Sequence, residues 1–266
     1  MAPRSLPDRP NLEHLKKQAK ALLHDAQAGD ADARARFASL PAFEHVSPDA
    51  FARAELALHD AHSVIAREYG FPSWTALKDD VDARSLSFEA AVEAFVRAAT
   101  GGAARRAERL LELHPTLSSA TLQTAIVVAD VAGVEARLAR DPKLVTTVDG
   151  PMQWEPLLYA CHTCLHETNP ARVDGIIAIV KRLCAMGANP NAEYHWNWHP
   201  ELPRTALWAS LFSIRSLALA EVLLDAGAKP TDGVSTHIAA GGGDIDRLEL
   251  LHRYGMNVNG IAGGVP

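Results

Sequence analysis

Residues 183–192 read LCAMGANPNA and carry the strongest fold signal in the chain. Apolar residues run up to Gly187, and Ala, Asn and Pro then end the helix. Gly adopts the left-handed conformation just past a helix end without steric cost, and a Pro beyond it prevents the helix from continuing. The pattern recurs almost unchanged as LLDAGAKP at residues 223–230, and more loosely as LHRYGMNVN at residues 251–259. Three copies of one helix-ending pattern indicate a repeat protein.

The expected helix starts alternate with these helix ends. Residues 155–160 (EPLLYA) and 205–209 (TALWA) begin first helices, and residues 234–240 (VSTHIAA) begin another. Farther upstream, residues 109–117 (RLLELHPTL) and 136–144 (ARLARDPKL) correspond, and each ends a second helix with a Pro instead of the Gly-Ala pattern. Units of two helices, each unit of about 30 residues, are therefore predicted from residue 88 to the chain end.

From about residue 88 onward, this sequence resembles an ankyrin-repeat array. In that family the first helix opens Thr-Pro-Leu-His-x-Ala-Ala and the second ends Leu-Leu-x-x-Gly-Ala-Asp-x-Asn. The closest matches here are HIAA at residues 237–240 and GANPN at residues 187–191. The resemblance implies an all-α fold, an ankyrin-repeat α-solenoid of helix pairs joined by β-turn or finger loops. It is specific for residues 150–262 and weaker for residues 88–149, and no helix start has Thr and Pro together.

Two domains are predicted from these patterns. A small N-terminal helical domain is expected at residues 1–84, and the ankyrin-repeat array at residues 85–266. Residues 65–74 (IAREYGFPSW) resemble a helical segment that precedes such arrays in bacterial proteins, a resemblance that implies no particular activity. The expected repeats are about 85–118, 119–149, 150–191, 192–230 and 231–261, with residues 262–266 starting a further one.

Four helices are expected in the N-terminal domain. Asn11 and Asp30 are suitable N-caps for the first two, because their side chains can accept hydrogen bonds from the free N–H groups of the first turn. A long third helix is predicted from Pro48 to about Tyr69. The fourth is expected to start with Ser73 as its cap or with Pro72 at its entrance. His59 and His62 fall on the polar face of the long helix, without a third ligand at a metal-binding spacing.

Composition excludes several classes of protein. The chain has 26 basic and 32 acidic residues, a net charge of −6, so it lacks the basic surface typical of nucleic-acid binding. Its three Cys are too few for a disulfide framework and are expected to be reduced. Residues 1–10 have no apolar signal-peptide core, and no apolar run approaches the roughly 18 residues that span a membrane. A cytoplasmic protein without membrane contact is predicted.

The finger between two repeats is longer than expected. Gly187 and Ala206 are 19 residues apart, whereas Gly227 and Ser235 are 8 apart. The extra residues form an aromatic finger loop at residues 190–203, and aromatic side chains dominate protein interfaces because they bury a large area at small entropic cost. Partner-binding residues are therefore predicted in the finger and on the adjacent helix starts: Tyr194, His195, Trp196, Trp198, His199, Trp154 and Trp208. The alternative is that Trp196 or Trp198 folds back and pins the finger to the first helices.

A cluster of Cys and His residues suggests zinc as a second possibility. Residues 161–166 read CHTCLH, and His195 and His199 could reach this segment from the finger. Against zinc, Cys161 occupies the small position of a first helix, where a compact buried residue is needed. Cys164 would lie on the same helix, without the turn that brings two thiolates together. The expected loop insertion of 11 residues in this repeat falls near residues 164–170.

The sequence favours a non-enzymatic scaffold that binds a protein partner through the concave face and the finger at residues 190–203. No phosphate-binding Gly-rich loop and no nucleophile elbow occur, and no cofactor or metal is expected. Two alternatives stay open: a zinc or hydrolytic site at residues 161–166 and 195–199, or an activity within residues 1–84 that the repeats only target. Residues 260–266 enter what should be the next helix start. Because each repeat buries its apolar side only against its neighbours, further repeats or another chain are expected to cover that end.

Overall fold

The computed structural model describes residues 4–7, 9–196, 199–231 and 243–256. These residues are mostly helical, and the chain divides into two compact units, residues 1–87 and 88–266. Within the described residues, no helix combines the length and the apolar character needed to cross a membrane. The expected helix start at residues 234–240 and the expected start of a further repeat at residues 262–266 lie outside the described part of the chain.

The first unit contains five α-helices in the described residues. They are α1 (Leu12–Gln27), α2 (Ala31–Ala38), α3 (Pro48–Ala52), α4 (Leu58–Glu68) and α5 (Trp74–Arg84). The predicted N-caps Asn11, Asp30 and Ser73 are confirmed, because each side chain accepts a hydrogen bond from the backbone N–H three residues later. The apolar faces of these helices meet in a core that includes the fully buried side chains of Phe37, Ile65 and Leu77.

The single long helix predicted from Pro48 to Tyr69 is wrong. The structure interrupts it between α3 and α4, where Leu56 turns into the core and is only 4% exposed. Arg34 Nη2 donates to the last two carbonyl groups of α3, at 2.9 and 3.0 Å, and so satisfies them outside the helix. The Asp60 carboxylate accepts from the backbone N–H of Ala57 at 2.9 Å and starts α4 anew. A distant arginine and a local carboxylate therefore outweigh the helical apolar spacing.

The second unit consists of successive helix pairs. Its described helices are α6 (Phe88–Thr100), α7 (Ala104–Leu113), α8 (Leu122–Val127), α9 (Val131–Arg140), α10 (Pro156–His162), α11 (Arg172–Ala185), α12 (Ala206–Phe212), α13 (Leu217–Asp225) and α14 (Ile245–Arg253). In four consecutive pairs, α6–α7 to α12–α13, the two helices contact each other. Each of the first helices α6, α8 and α10 contacts the next first helix, as far as α12. Each of the second helices α9, α11 and α13 contacts the next second helix, as far as α14.

The repeated helix-ending pattern has one geometry in all three copies. Gly187, Gly227 and Gly255 have φ values of +95°, +98° and +94°, in the left-handed region. In each copy the residue after the Gly donates its backbone N–H to the carbonyl five residues earlier, at 2.9–3.0 Å. This bond satisfies a carbonyl that the helix end leaves free. The prediction that these segments end helices is therefore confirmed.

The Pro-containing helix ends also correspond. Helices α7 and α9 end just before His114 and Asp141, and short 3-10 helices follow at Pro115–Ser119 and Pro142–Thr146. Because Pro cannot donate the next helical hydrogen bond, the α-helix stops and a tighter turn takes over.

The predicted finger contains an antiparallel β-hairpin of β1 (Glu193–Trp196) and β2 (His199–Thr205). Its register pairs Glu193 with Thr205 and Tyr194 with Arg204, and it becomes irregular after His195. Pairing places Tyr194 beside Arg204 at the base of the hairpin. Through these two residues, the hairpin contacts the first helices of the second unit.

Candidate functional site

A cleft of about 690 Å³ lies within the second unit, and we name it the hairpin cleft. Four segments line it: the end of α6 with its turn, the segment from His162 to Glu167, the hairpin base, and α12 with the turn that follows it. Its volume is within the roughly 300–1,000 Å³ range of ligand pockets, and it is formed mainly by helix ends and by the paired hairpin. The fold therefore presents a preformed concave surface.

Aromatic rings form a continuous row along the cleft. Trp154 contacts Tyr194, with ring centroids 4.3 Å apart, and Tyr194 meets His162 edge to face at 5.0 Å. His162 stacks on Trp208 at 6.1 Å, and Trp208 contacts Phe212 at 6.1 Å. Trp208 and Phe212 are four residues apart on α12, so they share one helix face. We name these five side chains the aromatic row.

The buried end of the aromatic row is Trp154, which is 6% exposed. Its loop is held by Tyr159, whose hydroxyl donates to the Asp149 carbonyl at 2.8 Å and accepts from the Met152 N–H at 3.0 Å. Asp149 and Trp154 also form an isolated antiparallel bridge across this loop. Trp154 therefore supports Tyr194 from behind and presents little of its own surface to a partner.

Removing the Tyr159 hydroxyl is expected to destabilise the second unit. In Tyr159→Phe, the Met152 N–H and the Asp149 carbonyl lose a buried partner, and such a loss costs about 1–3 kcal/mol. Urea unfolding of the full chain measures this change. Tyr254→Phe is the matched control: its hydroxyl donates to Asp225 at the surface, where water can replace the ring oxygen, and we expect a change within about 0.5 kcal/mol. Equal losses in both variants would contradict the role given to Tyr159.

The centre of the aromatic row is His162, which is 7% exposed. Burial and, to a smaller extent, the nearby charge of Arg204 lower its pKa to about 3, and a hydrogen bond to the Thr205 backbone partly opposes both effects. The ring is therefore neutral near pH 7. A hydrogen bond that raises the pKa is one that the ring donates, and Nε2 has no partner. Nε2 is thus the acceptor nitrogen of the neutral ring.

Trp208 adds a donor without a partner. Its indole Nε1 is buried and makes no hydrogen bond, although buried polar groups are nearly always bonded. The Arg204 guanidinium lies 4.0 Å above the centre of this ring, within cation–π distance. Because Arg204 comes from β2 and Trp208 from α12, this contact fixes the hairpin base against the helix.

Two arginines and one glutamate carry the formal charges that line the cleft. Arg204 and Arg215 are positive, Glu167 is negative, and the neutral His162 adds nothing. His166 Nδ1 is hydrogen-bonded to the Thr163 carbonyl at 3.0 Å. The lining therefore carries a positive formal charge, whereas the whole chain is negative, at −6.

Arg215 has an unusual backbone conformation. Its φ is +58°, in the left-handed region that side chains with a Cβ rarely adopt. The same place, two residues before a second helix, is occupied by Gly102, Ala129 and Gly243, with φ values of +79°, +63° and +65°. The turn thus requires a positive φ, and at this position the chain carries a long cationic side chain where a glycine would be unstrained.

The predicted partner-binding residues lie in different environments in the structure. Tyr194 and Trp208 line the cleft, while Trp154 lies behind it. The His195 side chain is 55% exposed and lies 3.7 Å from Glu193, and it is not part of the cleft lining. The backbones of Trp196 and His199 belong to the hairpin strands. Trp198 lies outside the described residues, as do the side chains of Trp196 and His199.

The two cysteines of the proposed alternative zinc site, Cys161 and Cys164, are buried in this structure. Cys161 and Cys164 do not share a helix as expected, because α10 ends at His162. Burial raises the pKa of the Cys161 thiol, and it raises that of Cys164 to about 11. Metals bind the thiolate form, which both environments disfavour. Among the described residues, no three His, Cys, Asp or Glu side chains form a group that could hold a metal ion.

Sequence reasoning missed Arg204, Arg215 and Phe212, and it considered His162 only within a zinc motif. Aligning the turns before second helices would have found Arg215, because Gly102 and Gly243 occupy the same place. The spacing of Trp208 and Phe212 on one helix face was also visible. Arg204 gave no comparable signal, because its position depends on the hairpin register.

Comparison with known proteins supplies no relative: no protein-family model, curated protein or solved structure matches the chain. The geometry of the cleft is therefore the basis for assigning a function.

Proposed function

We propose that the second unit is an ankyrin-type repeat array, and that it acts as a non-enzymatic scaffold binding a protein partner in the hairpin cleft. The observation that carries the proposal is the open cleft lined by the partly exposed rings of Tyr194 and Trp208 beside stacked first helices. Repeat stacks bury a core only between neighbours and leave extended concave surfaces for binding. The common helix ends and the common turn position before second helices support the repeat assignment.

The cleft has the composition of a binding site. Aromatic and arginine side chains contribute most to protein interfaces, because they bury area and make directional contacts at the same time. Here Tyr194 and Trp208 supply the area, and Arg204 holds the indole ring in place. Since Trp154 and His162 fix these rings from behind, little side-chain entropy is lost when a partner binds.

Groups that would perform catalysis are not poised for it. The thiol of Cys164 has a raised pKa and donates to the Ala98 carbonyl at 3.5 Å, so it is a weak nucleophile. His162 is a poor general base, because its pKa of about 3 lies far below the value near 7 that proton transfer at neutral pH favours. These features favour binding over chemistry. The partner that we propose is a cytoplasmic protein, and neither a membrane nor a nucleic acid.

Trp208→Ala is expected to weaken partner binding at least about 30-fold, because truncating a central interface aromatic typically costs 2 kcal/mol or more. The measurement is quantitative capture of partners from a lysate of the source cells, followed by titration of the recovered protein against each variant. The double variant Trp196→Ala, Trp198→Ala tests the outer part of the finger in the same assay.

Lys181→Ala is the matched control, because Lys181 is exposed on α11 in a groove formed with α13 and does not line the cleft. It should bind the partner as tightly as the unaltered chain does. The proposal is contradicted if Trp208→Ala keeps its circular dichroism spectrum and still recovers the same partners with unchanged affinity.

A further inference from the structure

We infer that the hairpin cleft recognises a carboxylate side chain in an extended acidic segment of the partner, and that Arg215 selects for it. This inference rests on the proposed function and specifies the chemistry of the partner. It depends on three features of the described residues: the backbone of Arg215, the formal charge of the cleft with its unpartnered donor, and the fixed aromatic surface beside them.

The first feature is the cost of placing an arginine at this turn. The left-handed conformation is unfavourable for any residue with a Cβ, and Gly102 and Gly243 show that this turn is made without that cost. Unfavourable backbone conformations concentrate at functional positions, where the side chain has a use that the turn itself does not require. The Arg215 side chain is exposed and lines the cleft, so its guanidinium is available to a ligand there.

The second feature is the positive formal charge of the lining, together with a hydrogen-bond donor that has no partner. Arg204 and Arg215 line the cleft with one carboxylate, that of Glu167, and the indole N–H of Trp208 makes no hydrogen bond. The buried His162 ring is neutral and adds no charge. A ligand that only accepts hydrogen bonds and carries a negative charge matches this set. Carboxylates fit, because a guanidinium can donate two parallel hydrogen bonds to their two oxygens.

The third feature explains why the carboxylate should belong to an extended chain. The aromatic row runs from the hairpin base along α12, and it is too long for one carboxylate to cover. Tyr194 and Trp208 can receive the methylene groups and backbone of neighbouring residues. The cleft volume of about 690 Å³ also exceeds that of a single side chain. A short extended peptide can place one glutamate against Arg215 while its neighbouring residues cover the aromatic rings.

The test uses two tripeptides that differ only in charge, acetyl-Gly-Glu-Gly-amide and acetyl-Gly-Gln-Gly-amide. Each is titrated into the full-length ¹⁵N-labelled protein while the indole N–H signals are followed by NMR, with Trp208→Phe identifying the Trp208 signal. We expect the glutamate peptide to shift this signal and to bind at least fivefold more tightly than the glutamine peptide. This factor corresponds to a difference of about 1 kcal/mol in binding free energy. Inorganic phosphate serves as a third probe, for an anion that is not a carboxylate.

Variants at two equivalent turns separate the side chain of Arg215 from its backbone. Arg215→Gly removes the guanidinium and relieves the turn, so the melting temperature should rise while the preference for the glutamate peptide is lost. Ala129→Gly relieves the same backbone strain in a turn outside the cleft lining, and it should raise the melting temperature without changing peptide binding. Arg215→Lys keeps the charge and should retain part of the preference.

The inference is overturned if the two peptides bind equally, if neither shifts the Trp208 signal, or if Arg215→Gly binds the glutamate peptide like the unaltered chain. A response to phosphate as strong as that to the glutamate peptide would also overturn it, because the cleft would then select anions without regard to their shape. If Trp208→Ala loses its captured partner while the peptides show no charge preference, the proposed function stands and only this inference fails.

Discussion

Trp154→Ala is expected to lower the free energy of unfolding of the second unit by about 3–5 kcal/mol, the usual cost of truncating a large buried aromatic side chain. Trp154 is 6% exposed and contacts the rings of Tyr159, His162 and Tyr194, at 5.5, 5.4 and 4.3 Å. Its removal leaves a cavity between the α10 helix and the hairpin. Because folded domains are stable by only about 5–15 kcal/mol, this is a large fraction of the total.

Urea unfolding monitored by far-UV circular dichroism measures the loss, and Trp208→Ala is the informative comparison. Trp208 is only partly buried, so its truncation should cost less stability than that of Trp154. Partner binding should be lost in both variants, in Trp208→Ala through the missing contact and in Trp154→Ala because Tyr194 loses its support. Trp154→Phe retains a ring and should recover part of the stability.

An equal stability loss in Trp154→Ala and Trp208→Ala would contradict the assignment of Trp154 as the buried support. So would a Trp154→Ala variant that unfolds like the unaltered chain but fails to bind, because that outcome would make Trp154 a direct contact. The two tryptophans were predicted together as partner-contacting residues, and the experiment separates their roles.

Local signals in the sequence predicted the helix ends well, because the atoms that form them are close along the chain. The left-handed Gly187 and the hydrogen bond across it involve residues within a single turn. The same holds for Asn11 and Asp30, whose side chains cap backbone N–H groups three residues later. Such features depend only on residues that are close together in the sequence.

Features that depend on distant residues were not predictable in the same way. The break between α3 and α4 depends on Arg34, which approaches it from α2. The burial of Trp154 depends on Tyr194, which reaches it from the hairpin 40 residues later. The position of Arg204 over Trp208 follows from the strand register of the hairpin. The sequence pattern of the finger does not fix that register.

His162→Gln is expected to remove a pH dependence of stability that amounts to several kcal/mol. His162 has a folded-state pKa of about 3, whereas an unfolded histidine has a pKa of about 6.5. Since the folded pKa is the lower one, the stabilising effect is complete above about pH 6.5 and is lost as the pH falls from there toward 3. In that range the unfolded chain binds a proton that the folded chain does not bind.

The expected slope is about 1.4 kcal/mol per pH unit for this one group. Urea unfolding at about pH 7, 6 and 5 should show the unaltered chain losing stability faster than His162→Gln, with a difference of about 2 kcal/mol accumulating by pH 5. Carboxylates titrate in both proteins, and so their contribution cancels in the comparison. His59→Gln is the matched control, because the His59 side chain is 82% exposed.

Parallel pH curves for the unaltered chain and His162→Gln would mean that the folded protein accommodates a protonated His162, by opening the hairpin or by admitting water. That outcome would also change the interpretation of the cleft. A charged His162 would be a donor beside Trp208 and Arg204, and the binding of an acidic segment would strengthen as the pH falls. With His162 neutral, as its burial and the nearby Arg204 charge require, protonation of His162 should instead contribute nothing to the pH dependence of binding between about 6 and 8.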